Sequence, residues 1–313
     1  LVLSEADVAA ERDVVLEERS MRVDNRPESL FQEEMNALFY RNHPYGRPLA
    51  GWRSEIEKLN REDALDFYKR FYRPSNAVLV VAGDISGPEV MELAAQTYGA
   101  IADEGGHSVH QRPQEPPLRG ARQLVMKDPR VGNDQFVAYF PAPSYVKADN
   151  HDPHALAVLA RRLGNDPSGV LYRHFVRETG KALSIGAYYY GDARDHGVFA
   201  LYGYPAQGVS AEELYREVQA FLRTWLAGDI DAERLSVDKR ALTGSSLLAL
   251  DSVGALAQSY ARTVTLGGSV DEAARWPEYI GAVTPEDVRD VAERYLDFDV
   301  AVTGFLMKEE QGQ

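Results

Sequence analysis

Apolar positions along the chain follow two spacings, and the same pair of patterns occurs near both ends. Residues 62–71 and 286–295 carry apolar side chains at helical spacing, and each segment leads into a β-branched run that ends in glycine, at 78–83 and 300–304. Helical periodicity predicts an amphipathic helix, and a short continuous apolar run predicts a buried strand. Each end of the chain is therefore predicted to contain a helix followed by a buried strand.

The matched segments indicate a duplicated domain. The two helices lie 224 residues apart, the glycines that end the two strands lie 221 apart, and residues 10–12 recur as 232–234 at an offset of 222. Because order and offset agree, duplication explains them better than a chance likeness of helix and strand units. The second copy begins near Arg122, so we expect the first copy to lack about 100 residues of its first half.

Turn residues and the remaining periodicities predict two domains. Residues 103–118, rich in Pro and Gly, predict a flexible linker between a first domain at 1–102 and a second domain at 119–307. The second domain is predicted to contain strands and helices at 124–126, 136–140, 183–190 and 198–204, and at 153–163, 211–226 and 233–250. This arrangement is typical of an α+β fold, with a largely antiparallel sheet and helices packed on one face.

Composition narrows the classes of function. The 313 residues are 44% hydrophobic and 26% charged, a balance typical of globular domains. A formal charge of -14 argues against nucleic-acid binding, which needs clustered Lys and Arg, and favours peptide partners, especially basic ones. The absence of cysteine excludes disulfides, thiolate zinc sites and cysteine nucleophiles. No apolar run is long enough to predict a transmembrane segment.

Glu11 and Glu18 are the first candidates for chemistry. Residues seven apart lie on one face of a helix, about 10 Å apart along its axis, so one carboxylate can bind a metal while the other orients its surroundings. Taken alone, this pattern is better explained by a solvated acidic helix face. Two later segments reverse this preference and favour a metal site. They are a turn-rich loop at 43–51 and a segment at 71–84 that contains a helix end, a proline turn and an apolar run. His43 in the first of these is predicted to be a hydrogen-bonding loop residue rather than a ligand.

These segments together resemble the pitrilysin/insulinase family of zinc metallopeptidases, the inverzincins. The resemblance implies that Glu18 ligates a catalytic Zn²⁺ and that Glu11 is a supporting catalytic residue. It also implies two histidine ligands and a general-base glutamate from an H-x-x-E-H motif about 75 residues earlier. No H-x-x-E-H occurs in this sequence. We therefore expect an incomplete peptidase that binds no catalytic zinc alone and leaves an apolar face uncovered, such as residues 78–81.

The second domain is expected to be non-catalytic, because Arg240 occupies the position that matches Glu18. In the family this domain contributes an arginine and a tyrosine that approach the substrate. The resemblance assigns the arginine to Arg177, whereas Ser184 stands where the tyrosine is expected and Tyr188 is the nearest replacement. The alternatives are a surface salt bridge for Arg177 and a packed strand position for Tyr188.

The resemblance implies a zinc endopeptidase that cleaves peptides or extended protein segments inside a two-domain chamber. Its rival is a non-catalytic homologue that acts as a scaffold or as a chamber-forming partner, in a homo- or heterodimer with a homologous subunit. An unrelated small-molecule enzyme is disfavoured because no phosphate loop, dinucleotide motif or nucleophile elbow is present. The family resemblance favours the bacterial periplasm, and the cytoplasm remains open.

Overall fold

The computed structural model describes residues 2–103, 112–164, 166–249 and 252–309. The chain divides into two compact units. The first comprises Leu1–Pro116 together with Ser252–Ala261, and the second comprises Pro117–Asp251 together with Arg262–Gln313. Within the described residues no helix is both long and apolar enough to cross a membrane.

Helices joined by irregular segments make up the described part of the first unit. In chain order they are α1 Glu5–Arg19, α2 Pro27–Phe39, α3 Arg53–Ile56, α4 Arg61–Phe71 and α5 Gly87–Gln96. The helices α1, α4 and α5 each begin with a capping box, in which a polar side chain and an acidic residue three positions later satisfy free backbone N–H groups. The buried apolar side chains of this unit include Phe31, Met35, Phe39 and Ile56.

The apolar run at 78–83 does not form the buried strand that the sequence predicts. Its backbone has no sheet partner, and Val78, Leu79 and Val81 are each about half exposed. A strand needs a neighbouring strand for its hydrogen bonds, and the described part of the first unit contains none. The exposure of these three side chains agrees with the expectation that no other element covers the apolar residues at 78–81.

A five-stranded sheet forms the centre of the second unit. The strands are β1 Arg122–Asp128, β2 Gln135–Ala142, β3 Ala182–Tyr190, β4 Gly197–Pro205 and β5 Val302–Lys308. Their order across the sheet is β1-β5-β2-β4-β3. The β1 and β5 strands pair in parallel, and every other pair is antiparallel. The prediction of a largely antiparallel sheet is confirmed.

The described residues from 117 onward contain seven α-helices, and residues 253–261 of the fourth belong to the first unit. The helices are α6 Asp152–Leu163, α7 Ala211–Ala227, α8 Ala232–Ala249, α9 Val253–Leu266, α10 Val270–Ala274, α11 Trp276–Ala282 and α12 Pro285–Tyr295. One face of the sheet supplies alternate residues such as Phe136, Phe140 and Phe199, which are buried in a single core with apolar residues of α6, α7 and α12. The α+β class with helices on one face is therefore confirmed, and Leu250 of the predicted 233–250 helix lies outside the described residues.

The helical parts of the proposed duplication look alike. Both α4 and α12 are 11-residue helices that begin with a capping box, formed by Asn60 with Asp63 and by Thr284 with Asp287. The segments that follow them differ, because the second copy forms β5 and the first remains unpaired at 78–83. Superposition of the two copies therefore stays a prediction.

Candidate functional site

Helix α1 carries both glutamates that the sequence singles out. Glu11 lies in its middle with an exposed side chain, and Glu18 lies in its last turn. At a rise of about 1.5 Å per residue, the two positions are separated by roughly 10 Å along the helix axis. The structure thus gives Glu11 and Glu18 the helical spacing expected of them.

Glu18 is engaged by a neighbouring cation. Its Oε1 lies 2.9 Å from Nη1 of Arg22, four residues later, and both side chains are substantially exposed. Exposed ion pairs of this kind contribute little stability, so a stronger ligand could displace Arg22. Within the described residues, however, no group of three or more His, Asp or Glu side chains is arranged to hold a metal ion. These residues by themselves do not form a zinc site.

The neighbouring Arg19 fixes the orientation of α1, a role that the sequence analysis did not identify. Its side chain is only 5% exposed and donates two hydrogen bonds to the carboxylate of Glu33 on α2, at 2.9 and 3.0 Å. A third bond of 2.9 Å reaches the carbonyl of Gly51, and Asp24 lies 3.2 Å from Nε. Because Arg19 is held inward, the adjacent Glu18 is turned about 100° away from it around the helix.

Two further arginines attach α1 along its length. Nη1 of Arg12 donates to the carbonyl of Leu59 at 3.1 Å, and Nε of Arg61 donates to the carbonyl of Leu3 at 2.6 Å. Together with Arg19, they hold the residue Leu3 just before the helix, the middle of the helix and its end. The carboxylates on α1 therefore project from a fixed element, which a metal ligand requires.

His43 has the structural role that the sequence predicts. It is buried, its Nδ1 accepts a hydrogen bond from the backbone N–H of Tyr45 at 3.2 Å, and its ring packs against that tyrosine. The carboxylate of Glu115 accepts bonds from three successive backbone N–H groups at residues 41–43, at 2.9, 2.8 and 3.0 Å. Part of the predicted linker is thus fastened within the first unit, while residues 104–111 lie outside the described residues.

The proposed substrate-binding pair in the second unit is spread along one strand. Arg177 is exposed in a π-helical turn, Tyr172–Glu178, that leads into β3. Tyr188 lies near the other end of β3, so most of the strand, roughly 20 Å, separates the two. The structure therefore does not gather Arg177 and Tyr188 at one point, although both could contact one extended peptide.

Tyr188 belongs to a row of tyrosines on the sheet face opposite the helices. It stands opposite Ala200 of β4, which in turn stands opposite Tyr139 of β2, and Tyr188 and Tyr139 are hydrogen-bonded. Its ring also packs against Tyr190 at 4.7 Å and against Tyr202 at 6.0 Å. Burial, together with the neighbouring Tyr139, raises the pKa of Tyr188 far above its usual range. The hydroxyl therefore remains protonated.

Comparison with known proteins places this architecture in a peptidase family. Residues 58–242 match the model of the peptidase M16 inactive domain. The chain is 26% identical to zinc protease PqqE of Helicobacter pylori, over 98% of its own length and 68% of the relative's. It is also 26% identical to a probable mitochondrial-processing peptidase subunit beta of Schizosaccharomyces pombe, over 96% of its own length and 66% of the relative's. The chain thus spans about two thirds of these relatives.

A solved structure has a similar fold. A protease from Helicobacter pylori superimposes with a TM-score of 0.89 at 24% identity, covering 98% of this chain and 73% of that one. The fold is that of M16 peptidase domains, and the chain belongs to the peptidase M16 family. This confirms the resemblance to zinc metallopeptidases. Glu11 and Glu18 lie outside the matched residues 58–242, so the family model does not bear on their roles.

Proposed function

We propose that this chain is part of a zinc endopeptidase of the M16 family, in which Glu18 is one metal ligand and Glu11 supports it. Histidine ligands of the kind the family uses would come from an H-x-x-E-H segment, a motif that this sequence does not contain. Peptides or extended protein segments are the proposed substrates.

The observation that carries this proposal is the placement of Glu18 on a rigid helix. Arg12 and Arg19 fasten α1, Arg61 fastens the residue Leu3 just before it, and the Glu18 carboxylate pairs with the exposed Arg22. Such a carboxylate can change partners without disturbing a buried network. The similarity to a zinc protease over 98% of this chain supports the same reading, because that coverage extends across α1.

The proposed substrate surface is in the second unit. Arg177 is exposed where β3 begins, and Tyr188 keeps a protonated hydroxyl near its end. Because β3 is the last strand in the sheet order, its free edge offers backbone groups to an extended peptide. Arg177 would bind a carbonyl or carboxylate of the peptide, and Tyr188 would contact a second residue further along the same peptide.

The alternative is a non-catalytic homologue that forms part of a chamber with a second subunit. One observation favours it: the matched family model is that of the inactive domain. The relative named as a subunit of a processing peptidase supports a homo- or heterodimer with a homologous subunit. Retention of both glutamates on α1 favours the peptidase.

The test uses the polypeptide that also carries the H-x-x-E-H segment. We expect Glu18→Gln to abolish zinc binding and cleavage of an unstructured peptide, and Glu11→Gln to reduce cleavage roughly 10- to 100-fold, as loss of an outer-shell partner does. Glu17→Gln is the matched control, since this exposed glutamate lies beside Glu18 and should behave as wild type. Zinc content by mass spectrometry, measured with peptide cleavage, separates the peptidase from the scaffold.

A further inference from the structure

A cavity of about 370 Å³ lies within the second unit, on the side of the sheet that carries the helices. Its walls come from α6, the end of β3, α8, α9 and α11. None of Glu11, Glu18, Arg177 and Tyr188 lines it. It is therefore separate from the residues assigned to the peptidase, and its volume falls in the range of small-molecule sites.

Aromatic rings in fixed positions form one wall of the cavity. Nε1 of Trp276 donates to the hydroxyl of Tyr145 at 3.1 Å, and the hydroxyl of Tyr189 donates to the carbonyl of Pro143 at 2.6 Å. Gly191 lies against both tyrosines, because a Cβ there would come within 2.5 Å of the Tyr189 ring and 2.7 Å of the Tyr145 ring. The rings are thus locked in place and present flat apolar surfaces.

Small side chains line the cavity next to these rings and leave its volume open. Ala157, Ala160 and Gly164 of α6 and its C-terminal end line the cavity together with Ala187 of β3. Larger side chains at these positions would occupy the volume. The cavity therefore has an apolar body suited to an aromatic or branched aliphatic group.

Two arginines supply the polar part of the lining. Arg262 is 64% exposed and lies 3.5 Å from the carboxylate of Asp192, and Arg161 pairs with Asp166 at 2.7 Å. Nε of Arg161 is buried and has no hydrogen-bond partner among the described residues. Buried donors are nearly always satisfied, so this nitrogen could donate to an acceptor that the described residues do not supply. Burial also raises the pKa of Tyr145 above its usual range, which keeps its hydroxyl a donor.

We propose that this cavity binds a small organic carboxylate that carries an aromatic or branched apolar group. A guanidinium recognises a carboxylate through paired hydrogen bonds, and the rings and alanines match an apolar group of limited size. Asp192 at the same cavity disfavours a doubly charged phosphate through repulsion. The C-terminal residue of a peptide and a free aromatic acid share this chemistry. The proposal does not depend on the peptidase function.

Binding of three related probes to the 313-residue chain tests the chemistry. N-acetylphenylalanine mimics a peptide C-terminus, 3-phenylpropionate represents a free acid, and N-acetylphenylalanine amide lacks the charge. By titration calorimetry we expect at least one acid to bind, and the amide to bind roughly 10- to 100-fold more weakly than its acid. The tighter acid identifies the source of the carboxylate. Equal binding of the amide, or no binding of either acid at millimolar concentration, would overturn the proposal.

Substitutions test the location. Arg161→Gln and Arg262→Gln should each weaken the acid roughly tenfold or more, and Ala157→Leu should remove binding by filling the cavity without changing the charge. Arg216→Gln is the control, because Arg216 is an exposed arginine of α7 that does not line the cavity. Thermal melting of each variant verifies folding. Wild-type affinity in Ala157→Leu would show that the acid binds elsewhere.

Discussion

Removal of one partner from the buried ion pair between α6 and α8 should strongly destabilise the second unit. Nη1 of Arg162 lies 3.0 Å from Oδ2 of Asp238, and their side chains are only 5% and 2% exposed. In Asp238→Asn the guanidinium would keep its position but lose the charge that compensates it. Removal of one partner of a buried pair costs about 3–5 kcal/mol, whereas replacement of both by apolar residues of similar size is often close to neutral.

Denaturant unfolding followed by circular dichroism measures this difference. We expect Asp238→Asn to lower the unfolding free energy of the second unit by about 3–5 kcal/mol, and the double variant Arg162→Met, Asp238→Leu to recover most of that loss. Hydrogen exchange at α6 and α8 would show whether the loss is local. A cost below about 1 kcal/mol for the single variant, the value of an exposed pair, would refute the reasoning from burial.

Three other substitutions have defined outcomes. Burial, with a smaller effect of His151, lowers the pKa of His154 from 6.5 to about 4. The unfolded chain therefore takes up the proton first, and stability should fall by up to about 3 kcal/mol as the pH drops from 6.5 to 4, less where solvent screens the ring. His154→Phe should flatten this dependence in denaturation curves, and an unchanged slope would contradict it. Gly203→Ala should destabilise the sheet by about 1–3 kcal/mol, because its Cβ would lie 2.4 Å from the Phe136 ring, and an unchanged melting temperature would show that the ring moves aside. Arg19→Met should cost up to about 3–5 kcal/mol in the first unit by leaving the mostly buried carboxylate of Glu33 unpaired, visible as faster hydrogen exchange in α1, and unchanged exchange would argue against the anchoring role.

Local periodicity was sufficient to predict the strands of the second unit and the helices α6, α7, α8 and α12, whereas α9, α10 and α11 were not predicted. The alternation and apolar runs around Leu124, Phe136 and Val198 gave strands because their neighbours in the sheet belong to the same chain. The run at 78–83 has the same local pattern and forms no strand, because strand formation depends on a partner. The apolar run by itself contains no information about that partner, whereas the repeat predicts that part of the first copy is absent.

The interactions that fix the candidate site could not be predicted in this way. The bond between Arg19 and Glu33 joins residues on two helices, and Glu115 reaches backbone groups more than seventy residues earlier. No spacing rule connects such positions, since they meet only through packing. The positions of Glu11 and Glu18 were predictable because both lie on one helix. The functional pairing of Arg177 with Tyr188 stays a prediction.

The central claim is that Glu18 serves as a metal ligand in a zinc peptidase, and zinc stoichiometry tests it most directly. In the polypeptide that carries the H-x-x-E-H segment, wild type and Glu17→Gln should each hold one zinc ion per chain, and Glu18→Gln should hold almost none. The 313-residue chain should hold none that is tightly bound, because a zinc site of this type also needs imidazole ligands. Full zinc occupancy in Glu18→Gln, or a tightly bound zinc in the 313-residue chain, would contradict the account.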